Sequence, residues 1–339
     1  MNEKIGVVLL NLGGPDSLEA VEPFLFNLFN DPEIINFPLS FLFRKRLAKL
    51  ISSKRHPRIQ EQYKEIGGKS PLLELTEVQA GLLEKKLTAA GLDARVYLAM
   101  RYWRPFTEDA IAAMERDGVT RVVLLPLYPQ FSKSTTGSSV KEWNRLVAES
   151  AHLKEASVSL VEQYYDFAPY LDAVIERINQ GLERFPAEAR GDVHILFSAH
   201  GTPMKLVREG DPYSGQICET VTAVKTRGGW PNPHTLCFQS KVGPQKWLTP
   251  STPKVIEELA AAGVKNMLAV PIAFVSDHLE TLFEIGKEFR HLATEKGVRQ
   301  FEVTEGLNDS DRFADALAEL VFQKVGRPQA TSAAAGELA

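Results

Sequence analysis

A chain of 339 residues, 44% hydrophobic and 24% charged, has the composition of a folded globular protein and the length for two domains. Its net charge of −4 provides no general basic field for nucleic acid, which is excluded as a partner on that ground. The two cysteines, Cys218 and Cys237, form no CxxC, which argues against a cysteine-rich metal site or a disulfide framework and fits a reducing cytoplasm.

The chain begins with a strand at 5–11 inside "MNEKIGVVLLNLGGP". That segment turns glycine-rich too soon for a signal peptide. No later run approaches the roughly 20 apolar residues of a membrane span. Asp16, with Glu19 three residues on, reads as a helix N-cap. Residues 34–60 then hold no Asp or Glu but seven cations: Arg44, Lys45, Arg46, Lys49, Lys54, Arg55 and Arg58. Phe37, Leu39, Phe41, Leu42, Phe43, Leu47 and Leu50 are interleaved with them. This basic amphipathic stretch is either an ordinary helix with a basic outer face or a contact for membranes and anionic ligands. With its apolar face exposed, it makes a lip for a large flat apolar ligand carrying carboxylates.

Strands at 95–99 and 121–125 come next, and Gly118 ends the helix "TEDAIAAMERDG" between them. "LYPQFSKSTTGSS" (127–139) is a candidate cradle for a phosphate or carboxylate at a helix N-terminus. It lacks GxxxxGK[ST], and "NLGGP" lacks GxGxxG, so nucleotide binding has little support. Further strands are expected at 157–161, 193–197, 235–239, 266–270 and 300–304. No GxSxG surrounds Ser198 or Ser240, which weakens hydrolase chemistry. The small, polar tail over 326–339 is expected to be flexible.

Most of these strands are apolar on both faces, as buried parallel strands are. Their alternation with helices predicts an α/β doubly wound architecture. A faint repeat divides the eight strands four and four: Gly118/Gly263, Val119/Val264, Leu125/Val270, Pro126/Pro271 and Leu127/Ile272 match at a constant offset of 145. "LNLGGP" and "FSAHGTP" end the first strand of each half. Ligands of open α/β sheets bind beyond the carboxyl ends of the strands. That rule gathers Leu12–Pro15, Tyr128–Gly137, Ser198–Pro203 and Ser276–Glu280 around one cleft.

Two features could carry chemistry there. His200 is either a base or metal ligand at the cleft or a satisfied loop histidine. Asp277, Glu280, Glu284 and Glu288 would fall within an arc of roughly 80° on an α-helix. Acids near a helix N-terminus are favourable, which covers Asp277 and Glu280 but not the two beyond the first turn. The other use is a path for a divalent cation toward an imidazole, a donor set suited to Fe(II) or Zn(II) rather than Mg(II). His278 adds an orienting partner.

Seven ordered blocks, "LLNLGGP", "IQEQYKEIGGKSP", "LYPQFSKSTTGSS", "ILFSAHGTP", "GDPY", "QSKVGPQKWL" and "PIAFVSDHLETL", resemble the ferrochelatase family across about residues 4 to 320. The resemblance implies two similar Rossmann-like domains, each a four-stranded parallel sheet flanked by helices. The first, over 1–163, would carry the porphyrin-binding lip. The second, over 164–325, would carry the metal-site residues His200 and Glu280, and 326–339 would be the tail. It implies Fe(II) and protoporphyrin IX as substrates and a lyase reaction closing heme biosynthesis. Glu280, Glu284 and Glu288 would lie on a helix with π character, as the metal path. Arg55, Arg58 and Ser70 match propionate contacts, and Leu12, Arg101, Tyr102 and Trp247 match the cleft lining.

Leu12 stands where coproporphyrin-using members carry tyrosine. Lys133 stands in the loop where some members hold an iron–sulfur cluster through cysteine, so no cluster and no permanently bound cofactor are expected. The location implied is cytoplasmic, with peripheral contact at the inner face of the membrane through 37–58 left open. No heptad or unpaired apolar face stands out, so the choice of monomer or homodimer stays open as well.

Overall fold

The computed structural model describes residues 3–35, 40–242 and 245–328. Phe37, Leu39 and the tail beyond residue 328 lie outside them. Eight strands form two parallel sheets: β1 (Ile5–Asn11), β2 (Ala94–Met100), β3 (Arg121–Pro126) and β4 (Ser157–Leu160), then β5 (His194–His200), β6 (His234–Gln239), β7 (Asn266–Val270) and β8 (Gln300–Val303). The sheet orders are β2-β1-β3-β4 and β6-β5-β7-β8, the same topology twice. Gly118 and Gly263 both take positive φ, +69° and +91°, as the turn before β3 and β7 requires. The repeat in the sequence is thus a repeat of structure.

The central strands β1, β3, β5 and β7 are buried on both faces, which is why they read as apolar runs. Alternate residues serve different cores. Val7, Leu9, Val123 and Leu125 of the first sheet share one cluster with Ile195, Phe197, Leu268 and Val270 of the second. Val8, Leu10, Val122 and Leu124 face an outer cluster, and Leu196, Met267 and Ala269 face another. Helices Ala168–Glu183 and Asp311–Val325 fill the shared middle with Tyr170, Ile178, Phe313 and Leu317. The last helix also docks on helix Leu72–Ala89, where Lys86 reaches Asp311 at 2.7 Å and Asp315 at 2.8 Å. The inner core therefore runs across the expected boundary at 163/164.

Three local expectations are corrected. Asp16 caps nothing: the first helix is Val21–Phe29, and the Ser17 hydroxyl accepts the Ala20 N–H at 3.2 Å in the turn before it. β5 extends to His200, three residues beyond the expected strand. Helix Ser40–Lys64 does not segregate its faces. Small residues, Ala48 and Ser52, are buried, while Leu42, Phe43 and Leu50 are 59%, 54% and 66% exposed beside exposed Lys45, Arg46 and Lys49. Apolar and basic side chains share its outer surface.

Candidate active site

His200 is the last residue of β5, in register with Gln239. Its carbonyl accepts the Tyr213 hydroxyl at 2.9 Å. The next residue must be glycine, because a Cβ at Gly201 would sit 2.8 Å from the Gln239 carbonyl. These contacts fix the backbone and leave the half-buried imidazole at the strand end. Its ring meets Phe274 edge-on at 6.1 Å, and Phe274 packs at 4.2 Å on His278. His278 Nε2 lies 3.0 Å from Glu280 Oε2, and its Nδ1–H donates to the Ser276 carbonyl at 3.1 Å. A carbonyl can only accept, so the contact with Glu280 needs one further proton, held by either partner.

Burial holds the His200 pKa below its ordinary value, opposed by the Glu280 charge and reinforced by His278. The imidazole is therefore neutral at pH 7. Tyr63, from the far end of the lip helix, feels Glu280 as well. Burial chiefly, then that charge, holds its phenol well above the usual range. Leu279 packs with Leu12, Phe24 and Tyr63 of the first half. Glu280 thus faces residues of both halves.

The acidic file is split by the fold. Asp277 precedes the helix and serves the loop: it accepts Thr281 Oγ1 at 2.8 Å, Asn308 Nδ2 at 2.7 Å and the Gly306 N–H at 3.2 Å. Glu280, Glu284 and Glu288 lie on a π-helix, Glu280–Phe289, a rare winding that is frequent at functional sites. Glu284 is half-buried and Glu288 exposed. Burial pushes the Glu284 carboxyl up to about 7; bonds from Ser240 pull it down, and the charges of Glu280 and Glu288 push it further up.

The expected ligand contacts separate into two groups. Arg55 stacks its guanidinium 5.5 Å over the Phe29 ring. Burial, then Arg58, lowers its pKa from the ordinary value. Neither arginine has a carboxylate partner among the described residues. Trp247 lies across from the His200 segment, bridged to Pro203, with its ring 3.4 Å from where a Gly201 Cβ would stand. Ser70 is enclosed: its backbone N–H reaches the Pro15 carbonyl at 2.8 Å, and its hydroxyl accepts the Leu72 N–H at 3.3 Å.

Tyr102 belongs to the same packed cluster as Tyr63, Leu12 and Leu279, and the polar ends of Arg101 and Tyr102 meet at Asp31. The Tyr102 hydroxyl donates to Asp31 at 2.7 Å, Arg101 Nη2 lies 3.0 Å from the same oxygen, and Arg101 Nε donates to Ser138 at 2.8 Å. Ser138 in turn donates to Asp31. This network borders a separate cavity of about 560 Å³, lined by Asn27, Arg44, Lys141 and Arg145 among others but by neither His200 nor Glu280. Asp31, Tyr63, Phe274 and the structural role of Ser240 escaped the sequence reading. Tyr63 lay in plain view within "IQEQYKEIGGKSP"; Asp31 accepts the Glu33 N–H at 2.8 Å as any turn aspartate can, and the partners that give it its role, Arg101, Tyr102 and Ser138, are distant in the chain.

The ferrochelatase family model matches residues 4–325. The chain is 48% identical over 324 residues to the ferrochelatase of Gloeobacter violaceus, covering 95% of this chain and 98% of that one. It is 47% identical over 326 residues to that of Trichodesmium erythraeum, covering 96% and 84%. Among solved structures, SirB from Bacillus subtilis with Fe3+ matches with a TM-score of 0.55 and 12% identity over 95% of each chain. A cobalt complex of the sirohydrochlorin chelatase SirB gives 0.54 over 96% of this chain and 97% of that one. At that identity the two structures speak for the fold alone. Sequence relatives and family match together show that the chain belongs to the ferrochelatase family.

Proposed function

We propose that this member of the ferrochelatase family, a lyase of heme biosynthesis, inserts Fe(II) into protoporphyrin IX and releases two protons to form protoheme. One observation carries the reading: a neutral imidazole at the end of β5 is linked through Phe274 and His278 to Glu280, at the head of an acidic π-helix. A free porphyrin has two N–H groups at its centre. Metal enters only after those protons leave and a nitrogen lone pair tilts out of the ring plane. His200 accepts a pyrrole proton, as a neutral base within reach of the macrocycle centre can. Glu280 balances the cation's charge as it sheds water, and Glu284 and Glu288 lead it inward. Arg55 and Arg58 hold the propionates, Trp247 presents a flat wall, and Leu12 and Ser70 complete the first-half side. Such remote contacts offset the distortion of the ring. Arg101 and Tyr102 stiffen the wall from behind, through Asp31.

Exposed Lys45, Arg46 and Lys49, beside exposed Leu42, Phe43 and Leu50 of the lip helix, support peripheral contact with an anionic bilayer. Among the described residues no helix is long and apolar enough to cross a membrane. We place the reaction in the cytoplasm and assign no iron–sulfur cluster: Lys133 occupies the loop position, its ammonium on the Glu209 carbonyl at 2.6 Å. Cys237 is buried and Cys218 exposed.

Anaerobic incubation with Fe(II) and protoporphyrin tests the reaction. Porphyrin fluorescence should vanish with turnover, and unchanged fluorescence would reject the function. Coproporphyrin should react at least roughly tenfold more slowly, a difference of about 1.4 kcal/mol in the barrier; equal rates would reject the Leu12 argument. The metal path has its own test in Glu284→Gln. It should raise the KM for Fe(II) roughly tenfold and leave the porphyrin KM nearly unchanged. The carboxyl binds metal only when ionised, so the wild-type KM for Fe(II) should fall as pH rises through about 7, whereas the Gln variant should lack that limb. An unaltered pH profile in the variant removes Glu284 from the path.

A further inference from the structure

The cavity of about 560 Å³ that borders the Asp31 network has the volume of a small-molecule site, and the charges on its walls are not all matched. Arg101 pairs with Asp31 at 3.0 Å, Lys141 with Glu33, and Arg145 with Glu142 at 2.9 Å. Arg44 is the exception. Among the described residues it has no carboxylate partner, and its Nε is shut off from solvent without a hydrogen-bond acceptor. A buried N–H in that state is rare and calls for an explanation. Glu108, the remaining carboxylate of the wall, is exposed in the first turn of helix Thr107–Asp117, where the helix N-terminus already favours it.

A second guanidinium lines the same space. The Arg101 side chain is 19% exposed; its Nε donates to Ser138 at 2.8 Å and its Nη2 lies against Asp31, while no described residue bonds its Nη1. A guanidinium presents its donors as a planar fork that fits the edge of a carboxylate or phosphate. The acids of the wall cannot answer that demand, since Asp31, Glu33 and Glu142 are already taken. Arg44 belongs to the lip helix Ser40–Lys64, and Arg101 directly follows β2. A molecule engaging both would join the lip helix to the first sheet, at a place lined by neither His200 nor Glu280.

We propose that this cavity is a binding site for a small oxyanion, a carboxylate or phosphate compound held by Arg44 and Arg101, which fastens the lip helix to the first sheet. The proposal goes beyond the chelatase reading and does not rest on it. Calorimetric titration in chloride buffer at fixed ionic strength, without porphyrin or iron, uses inorganic phosphate and succinate as separate probes. At least one should bind saturably, one per chain, with a Kd of about 1 mM or tighter. Binding of phosphate alone or of succinate alone assigns the site to that oxyanion, and binding of both to the oxyanion edge that they share. Arg44→Gln should weaken binding at least roughly tenfold, and Arg44→Lys, which keeps the charge but loses the fork, by roughly threefold or more. Lys45→Gln removes an exposed charge next to it and should change the Kd by less than about twofold. At a hundred times the Kd, the probe should raise the melting temperature of the wild type by about 2 °C or more. No saturable binding of either probe in the millimolar range overturns the proposal. Equal losses in Arg44→Gln and Lys45→Gln, the mark of an adventitious ion only, overturn it as well.

Discussion

His200→Ala is expected to bind protoporphyrin nearly as the wild type does and to insert iron at least about a thousandfold more slowly. A positioned base contributes roughly 10²–10⁴-fold, and this imidazole also stands at the proposed metal position. The substitution is small in structural terms. The backbone of His200 is held by β6, by Tyr213 and by the close fit of Gly201, none of which needs the ring. The ring's own contact is the edge of Phe274, so the fold should survive. Burial holds the pKa of His200 below 6.5, so the acid limb that it contributes to kcat/KM lies below that value. Activity is kept as pH rises from there and lost as pH falls through the lowered pKa, where the imidazole takes its proton from solvent instead. A porphyrin titration by fluorescence beside an anaerobic rate assay checks both halves. Turnover within tenfold of wild type would remove His200 from the mechanism.

Asp31→Ala should cost about 3–5 kcal/mol of stability, the range for breaking a buried ion pair from one side. The Asp31 side chain is 1% exposed and that of Arg101 19%, so the guanidinium would be left with little water to replace its partner. The Tyr102 and Ser138 hydroxyls would lose the same acceptor, each a further desolvation penalty. Asp31→Asn should cost less, since its carbonyl oxygen still accepts one or two of these bonds. Denaturant unfolding of the two variants gives the comparison; a loss below about 1 kcal/mol for the alanine variant would mean that the network is dispensable. The wall function assigned to Arg101 and Tyr102 also rests on it.

The central strands β1, β3, β5 and β7 were legible because burial on both faces leaves a short apolar run that needs no partner information to read. The repeat was legible because Gly118 and Gly263 answer the same backbone demand. His200 and Glu280 were found because each ends or follows a strand of the sheet where ligands gather. What stayed hidden depended on distant partners. Asp277 looked like the head of an acidic file because spacing counts neighbours along a helix; Gly306 and Asn308, about thirty residues on, take it into a loop. Asp31 could not be read as the partner of Arg101 and Tyr102, because it lies some seventy residues before them in the chain. The amphipathic reading of the lip helix misjudged which residues pack. Ala48 and Ser52 are the buried ones, and the larger Leu42, Phe43 and Leu50 are left outside.

The inner core that both sheets share sets a limit on how this molecule can admit a substrate. Spreading the lobes like a clamshell would tear Val7, Leu125, Phe197 and Leu268 from a common interior and wet them, at about 25 cal/mol for each Å² uncovered. The spacing of the two sheets is therefore set when the chain folds. Any adjustment to a planar guest therefore falls to pieces outside that interior, such as the π-helix Glu280–Phe289, and not to a hinge between the sheets.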